Sequence, residues 1–204
     1  MLATLLKSKV VPQVISIGSS FSGSDTGSRF SFSQPIPSGA ISDKLFIVAG
    51  TNSTTTFSTP SGWTFVESNS RSAIFQKTAS AASESNITVS CNSSEIIAGV
   101  ALRFRNTSTT TIGTMVAASS ANSVTASSIT MPSAGMLLGI FVSGGSSRTF
   151  STPTGFDLLF QDDDAVQPTI AVFTKYVGSG STGSVTGTSA GSTSVLNAVL
   201  LGLT

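Results

Sequence analysis

The chain contains no histidine among its 204 residues. This removes the usual general base of hydrolytic triads and the commonest zinc ligand. A single cysteine, Cys91, excludes an intrachain disulfide framework and cannot build a metal cage by itself. In the stretch NITVSC it reads as a small apolar filler, suited to synthesis in a reducing compartment. Charged residues make up only 9% of the chain, ten basic against nine acidic, for a net charge of +1. That balance lacks the electrostatic footprint of a nucleic-acid or anionic-membrane partner. The longest apolar runs, such as Met136 to Val142, are strand-sized, far short of the ~20 residues a membrane-spanning helix needs. No GxxxxGK loop is present, and no GxGxxG opens a helix. With these ingredients missing, no enzymatic activity, metal or cofactor is expected.

Polarity comes instead from Ser, Thr, Asn and Gly, which hydrogen-bond without repelling like neighbours. Such a surface suits packing against copies of itself, so a homo-oligomer is expected. Helical periodicity is scarce, and short β-rich runs recur between Gly, Ser, Asn and Pro clusters. The expected fold is all-β, a pseudo-duplicated antiparallel β-sandwich of jelly-roll-like plan.

The duplication is legible in the residues. FSTPSGW from Phe57 returns as FSTPTGF from Phe150, 93 residues later. IPSGAISDKLFIVAG from Ile36 lines up with MPSAGMLLGIFVSG from Met131, and AIFQK from Ala73 with AVFTK from Ala171. The spacing grows to 98 at Lys77 and Lys175, so the second copy has five extra residues, placed around QDDDAVQP at a surface turn. The expected organisation is an N-terminal arm over residues 1–13 and a sandwich over 14–204, built from repeats of about 14–106 and 110–204. Two tandem domains joined by RNTSTTTIG are the alternative.

Pro60 and Pro153 set φ near about −65°, Gly62 and Gly155 supply positive φ, and an aromatic begins the next strand. Trp63 and Phe156 therefore hold equivalent places, either as platforms for a sugar ring or as core plugs; the duplication favours plugs. Arg103 and Arg105 in LRFRN close the first half, as a solvated strand end or a subunit contact. Asp162, Asp163 and Asp164 lack the alternating spacing of a calcium loop and read as a solvated hairpin tip. Glu67, Glu84, Glu95 and Asp157 have no context for paired-carboxylate glycoside cleavage. Asn52, Asn86, Asn92 and Asn106 each open an N-x-[ST] triplet, which a chain so rich in Ser and Thr produces by chance.

PSGAISDKLFIVAG, TPSGWTFVESNS, AIFQKTASAASESNITVS and GVALRFRN, taken together, resemble a group of tailed-bacteriophage virion proteins over nearly the whole chain after Val14. Asp43 matches the group's acidic position before the apolar strand, while RFRN replaces its usual R-G ending. The resemblance implies a virion component, made in the host cytoplasm, whose partners are capsid or tail subunits. Two roles follow: a decoration or cement protein that stabilises the particle, or a tail-fibre-like receptor-binding module holding a host surface glycan. The first residues, MLATLLKSKVVPQ, read as a retained arm outside the repeat. Its Leu2, Leu5, Leu6, Val10 and Val11, with Lys7 and Lys9, are the expected docking contacts, together with Arg103 and Arg105.

Overall fold

The computed structural model describes residues 12–21, 29–144, 148–162, 168–190 and 194–204. Leu2, Leu5, Leu6, Lys7, Lys9, Val10 and Val11 lie outside them, as do Asp163 and Asp164. The first half contributes β1 (Gln13–Phe21), β2 (Arg29–Gln34), β3 (Lys44–Thr51), β4 (Phe57–Ser58), β5 (Thr64–Ser68), β6 (Ser72–Thr78), β7 (Ile87–Glu95) and β8 (Ile97–Arg105). The second contributes β9 (Thr110–Ile112), β10 (Val116–Ala121), β11 (Ser123–Ala126), β12 (Thr130–Met131), β13 (Gly135–Ser143), β14 (Phe150–Ser151), β15 (Asp157–Gln161), β16 (Thr169–Val177), β17 (Gly180–Ser181), β18 (Val185–Ser189) and β19 (Ser194–Leu203). No helix occurs among the described residues.

The same order is built twice. In the first half a large sheet runs β1-β8-β3-β6-β5 and a small one β2-β7-β4. In the second, the large sheet runs β10-β19-β13-β16-β15 and the small one β11-β18-β14. β9 also pairs with β19, in the place the first residues of β1 hold against β8, and β12 pairs with β17, a pairing with no counterpart among the described residues of the first half. Register repeats with the order. Thr64 faces Gln76 and Phe65 faces Phe75 before a bulge, just as Asp157 faces Thr174 and Leu158 faces Phe173 before a bulge. The five extra residues of the second copy therefore fall between β15 and β16, within QDDDAVQP, of which residues 163–167 lie outside the described residues.

Three apolar clusters show how the sheets stack. One lies between the two first-half sheets and includes Phe32, Leu45, Ile47, Trp63, Phe75 and Val89. Another lies between the second-half sheets and includes Val124, Leu137, Phe141, Phe150, Phe156 and Phe173. The third joins the large sheets of the two halves: Phe46, Val48, Val100 and Leu102 meet Leu138, Ile140, Val172 and Leu201. Successive side chains on a strand point to opposite faces, so neighbours on β3 feed different cores, Leu45 and Ile47 outward, Phe46 and Val48 inward. A sheet covered on both faces favours apolar residues at nearly every position. That is why β3, β8, β13 and β19 are near-continuous apolar runs with almost every residue buried, interrupted by buried Arg103 on β8 and Asn197 on β19.

The result is four layers, one two-layered unit per half, joined back to back. The all-β antiparallel class stands. Each half owns a core, as tandem domains would, yet the shared central core makes the two halves one packed body. Side chains add to the seam: Asn69 Nδ2 donates to Asn197 Oδ1 at 2.6 Å, and Asn197 Nδ2 to Ser72 Oγ at 3.0 Å. The join at RNTSTTTIG is tied down as well, with the amides of Ser108 and Thr109 donating to Thr204 O at 2.7 and 2.9 Å. At the other end the fold begins earlier than the sequence suggests. Gln13 already pairs with Arg105 in β1, and buried Pro12 accepts a hydrogen bond from the Tyr176 hydroxyl on its carbonyl.

Candidate functional site

Arg103 is the largest correction to the sequence reading. It lies on β8 opposite Leu45, facing the outer side of the sheet, and is completely buried. All five of its N–H donors are used. Nε donates to Asp43 Oδ2 at 2.9 Å; Nη1 donates to Pro37 O and Ala82 O at 2.8 and 3.1 Å; Nη2 donates to Ala40 O and to Ala81 O at 3.1 Å. A guanidinium with every donor satisfied inside its own chain is neither a solvated strand end nor a docking residue. It ties the 37–43 turn to the 79–84 loop. Gly39 makes room for it: a methyl there would lie 2.3 Å from Arg103 Nε.

Asp43 completes this centre, 3% exposed. Burial works against its charge, but the Ala40 amide at 2.7 Å and the Arg103 guanidinium outweigh it and hold the carboxyl below the usual carboxylate range. Arg105 keeps the surface character expected of it. Its side chain is 43% exposed and reaches Asp43 Oδ1 at 3.4 Å, beside a cleft of about 510 Å³ lined by Ile41, Asp43, Thr107, Ser108 and Thr204.

The same loop is held from its other side by Glu84. Its Oε1 accepts the Ser80 and Ala81 amides at 2.6 and 3.2 Å and the Ser80 hydroxyl at 3.0 Å, while Oε2 meets Lys77 Nζ at 2.7 Å. The Lys77 hydrogen bond and these donors lower the Glu84 pKa to about 2, against a partial opposition from burial. A lowered folded pKa means stability that is complete above the ordinary glutamate value of 4.5 and is lost as pH falls through about 2. Glu84→Gln should therefore destabilise the protein at pH 7 and make its melting temperature fall less between pH 4.5 and 2 than that of the parent chain. Parallel acid slopes in thermal melts would show that Glu84 is not coupled to folding.

The two FSTP turns are built alike. The amides of Trp63 and Phe156 donate to the carbonyls of Pro60 and Pro153 at 3.1 and 3.0 Å, and Gly62 and Gly155 sit at φ 77° and 78°. Positive φ at the third turn residue alone is the type II pattern, which favours glycine there. Trp63 and Phe156 are each 9% exposed and pack into the cores of their own halves. Beside the second turn lies a cleft of about 280 Å³, where Lys175 Nζ stands 5.7 Å from the centre of the Phe156 ring.

The remaining candidates scatter. Cys91 is buried in the first-half core, with burial raising its thiol pKa. Asn52 and Asn92 accept backbone hydrogen bonds with their side-chain oxygens, from Ile96 N and Thr56 N, both at 3.0 Å. Among the described residues, no three of Cys, Asp and Glu gather as a metal site would require. Sequence reasoning did not find the exposed apolar pair Phe65 and Leu158, 48% and 52% exposed at matching places on β5 and β15. The 93-residue offset of the repeat would have paired them. Comparison with known proteins adds no relative: no family model, curated protein or solved structure matches the chain.

Proposed function

We propose that the chain is a non-enzymatic structural protein of a tailed-bacteriophage particle, a decoration or cement subunit that docks on capsid or tail and reinforces it. The observation that carries this reading is the repeated edge. β5 and β15 end the two large sheets, and each presents an exposed large apolar residue, Phe65 or Leu158, next to a bulge. Edge strands with open backbone groups are natural pairing surfaces, and a bulge shapes what can pair there. With only 9% charged residues, little repulsion opposes a neighbour. The nested pairing of first with last and second with next-to-last strand, read here as a jelly roll in each half, is an architecture that recurs in capsid and lectin domains; this support is by analogy.

Intact particles should carry density for the chain at regular positions. The double variant Phe65→Ser, Leu158→Ser should leave those positions empty while melting as the parent chain does. Removing residues 1–11, with Pro12 kept as the acceptor for Tyr176, should weaken docking with little change in stability. Particles that never contain the chain would overturn the proposal.

A further inference from the structure

The duplication supplies an internal comparison at the lysine of AIFQK and AVFTK. Lys77 faces Leu45 across β6 and β3, and Lys175 faces Leu137 across β16 and β13, so the two occupy the same place in their halves. In the first half Glu84 satisfies the ammonium at 2.7 Å. The 98-residue spacing that relates the lysines also relates Ile87, the start of β7, to Val185, the start of β18. Carried to Glu84, it lands on Thr182. The second copy has kept the cation and lost the anion.

What replaces the ion pair is open space. Lys175 lies across Gly155, its Nζ 3.2 Å from where a methyl on that residue would sit, and over the edge of the 280 Å³ cleft. Among the described residues no carboxylate is within ion-pair distance of it. Pro153 and Phe156 form an apolar wall, while Thr154 and Ser184 present exposed hydroxyls. The Thr182 hydroxyl is committed, accepting from Ile129 N at 3.1 Å and donating to Gly183 O at 2.9 Å.

An exposed ammonium with no carboxylate partner among the described residues, beside an apolar wall and two available hydroxyls, suits a ligand with a carboxylate, hydroxyl groups and an apolar C–H face. At the small end of ligand-site volumes, the cleft suits one ring. We propose that it binds the carboxylate-bearing sugar of an acidic glycan, with Lys175 pairing to the carboxylate and Thr154 and Ser184 reading the hydroxyls. The site goes beyond the docking role and does not depend on it.

Titration of the full chain with methyl glucuronoside, methyl glucoside and inorganic phosphate, followed by NMR chemical shifts, tests it. Expected are saturable shifts at Lys175, Thr154 and Ser184 with the glucuronoside, and affinity weaker by about tenfold or more for the uncharged glucoside, which lacks the charge-assisted bond. Phosphate should bind more weakly than the glucuronoside, having no apolar face. Lys175→Met should remove binding. Thr182→Glu, which restores the carboxylate present in the first half, should remove it too by re-forming the internal pair. Lys77→Met should leave binding unchanged. No shifts with the glucuronoside, equal affinity for phosphate, or binding that survives Lys175→Met would each overturn the proposal.

Discussion

Replacing Asp43 with alanine is expected to cost about 3–5 kcal/mol of unfolding free energy, the loss that follows when one member of a buried ion pair is removed. The cost arises less from the missing attraction than from the charge left behind. Arg103 is fully buried, and its other four donors stay bound to the carbonyls of Pro37, Ala40, Ala81 and Ala82, so it cannot swing out to water. Arg103→Met should be as damaging, because it takes the guanidinium donors from Pro37 O and Ala81 O and leaves the buried Asp43 carboxylate only the Ala40 amide and the more distant Arg105. The second half shows that the position itself does not demand a charge. Gly202 faces Leu137 there as Arg103 faces Leu45, and Met131 covers it, with its sulfur 2.2 Å from where a methyl on Gly202 would lie. The double variant Asp43→Ala, Arg103→Met should therefore cost less than the sum of its parts. Urea midpoints at unchanged m-value measure all three. A loss under about 1 kcal/mol for Asp43→Ala would mean that the pair is not desolvated as its burial indicates. The lowered Asp43 pKa adds a pH signature: the pair's contribution is complete above the ordinary aspartate range and disappears as pH falls through the depressed folded value.

Trp63→Ala and Phe156→Ala are each expected to cost about 3–5 kcal/mol, as large aromatic truncations in cores do. Both rings are 9% exposed at the start of a strand, and each plugs the end of a two-sheet core. Because those cores belong to different halves and share no partner in their clusters, the two losses should add to within about 0.5 kcal/mol. Chemical denaturation of the two single variants and the double variant checks this. Strong non-additivity would show that the central core transmits strain between the outer ones. A loss near zero at either site would mean the aromatic is not part of the core.

The absence of helical periodicity, the Gly and Pro punctuation and the recurrence of FSTP-x-G were enough to specify an all-β chain that repeats one plan, with its extra residues in a particular hairpin. Those properties are local, written in neighbouring residues and in the spacing of one motif. The layering was not local. A continuous apolar run such as FIVAG from Phe46 says that both faces of a strand are covered, but not what covers them; only the stacking of the large sheets shows that one face meets the other half of the chain. Strands of two residues, β4, β12, β14 and β17, are too short to carry a period and exist because a neighbour pairs with them. Arg103 and Lys175 show the same division at single residues. From LRFRN alone, Arg103 looks like a solvated end; it is buried because the turn at Pro37 and the loop at Ala81, distant in sequence, bring carbonyls and a carboxylate to its five donors. Lys175 looks like its twin Lys77, and differs because Thr182 stands where the repeat places the Glu84 of the first half. Propensity and repetition are set by the residues themselves, whereas the fate of a charge is set by whichever groups the fold brings within about 3 Å of it.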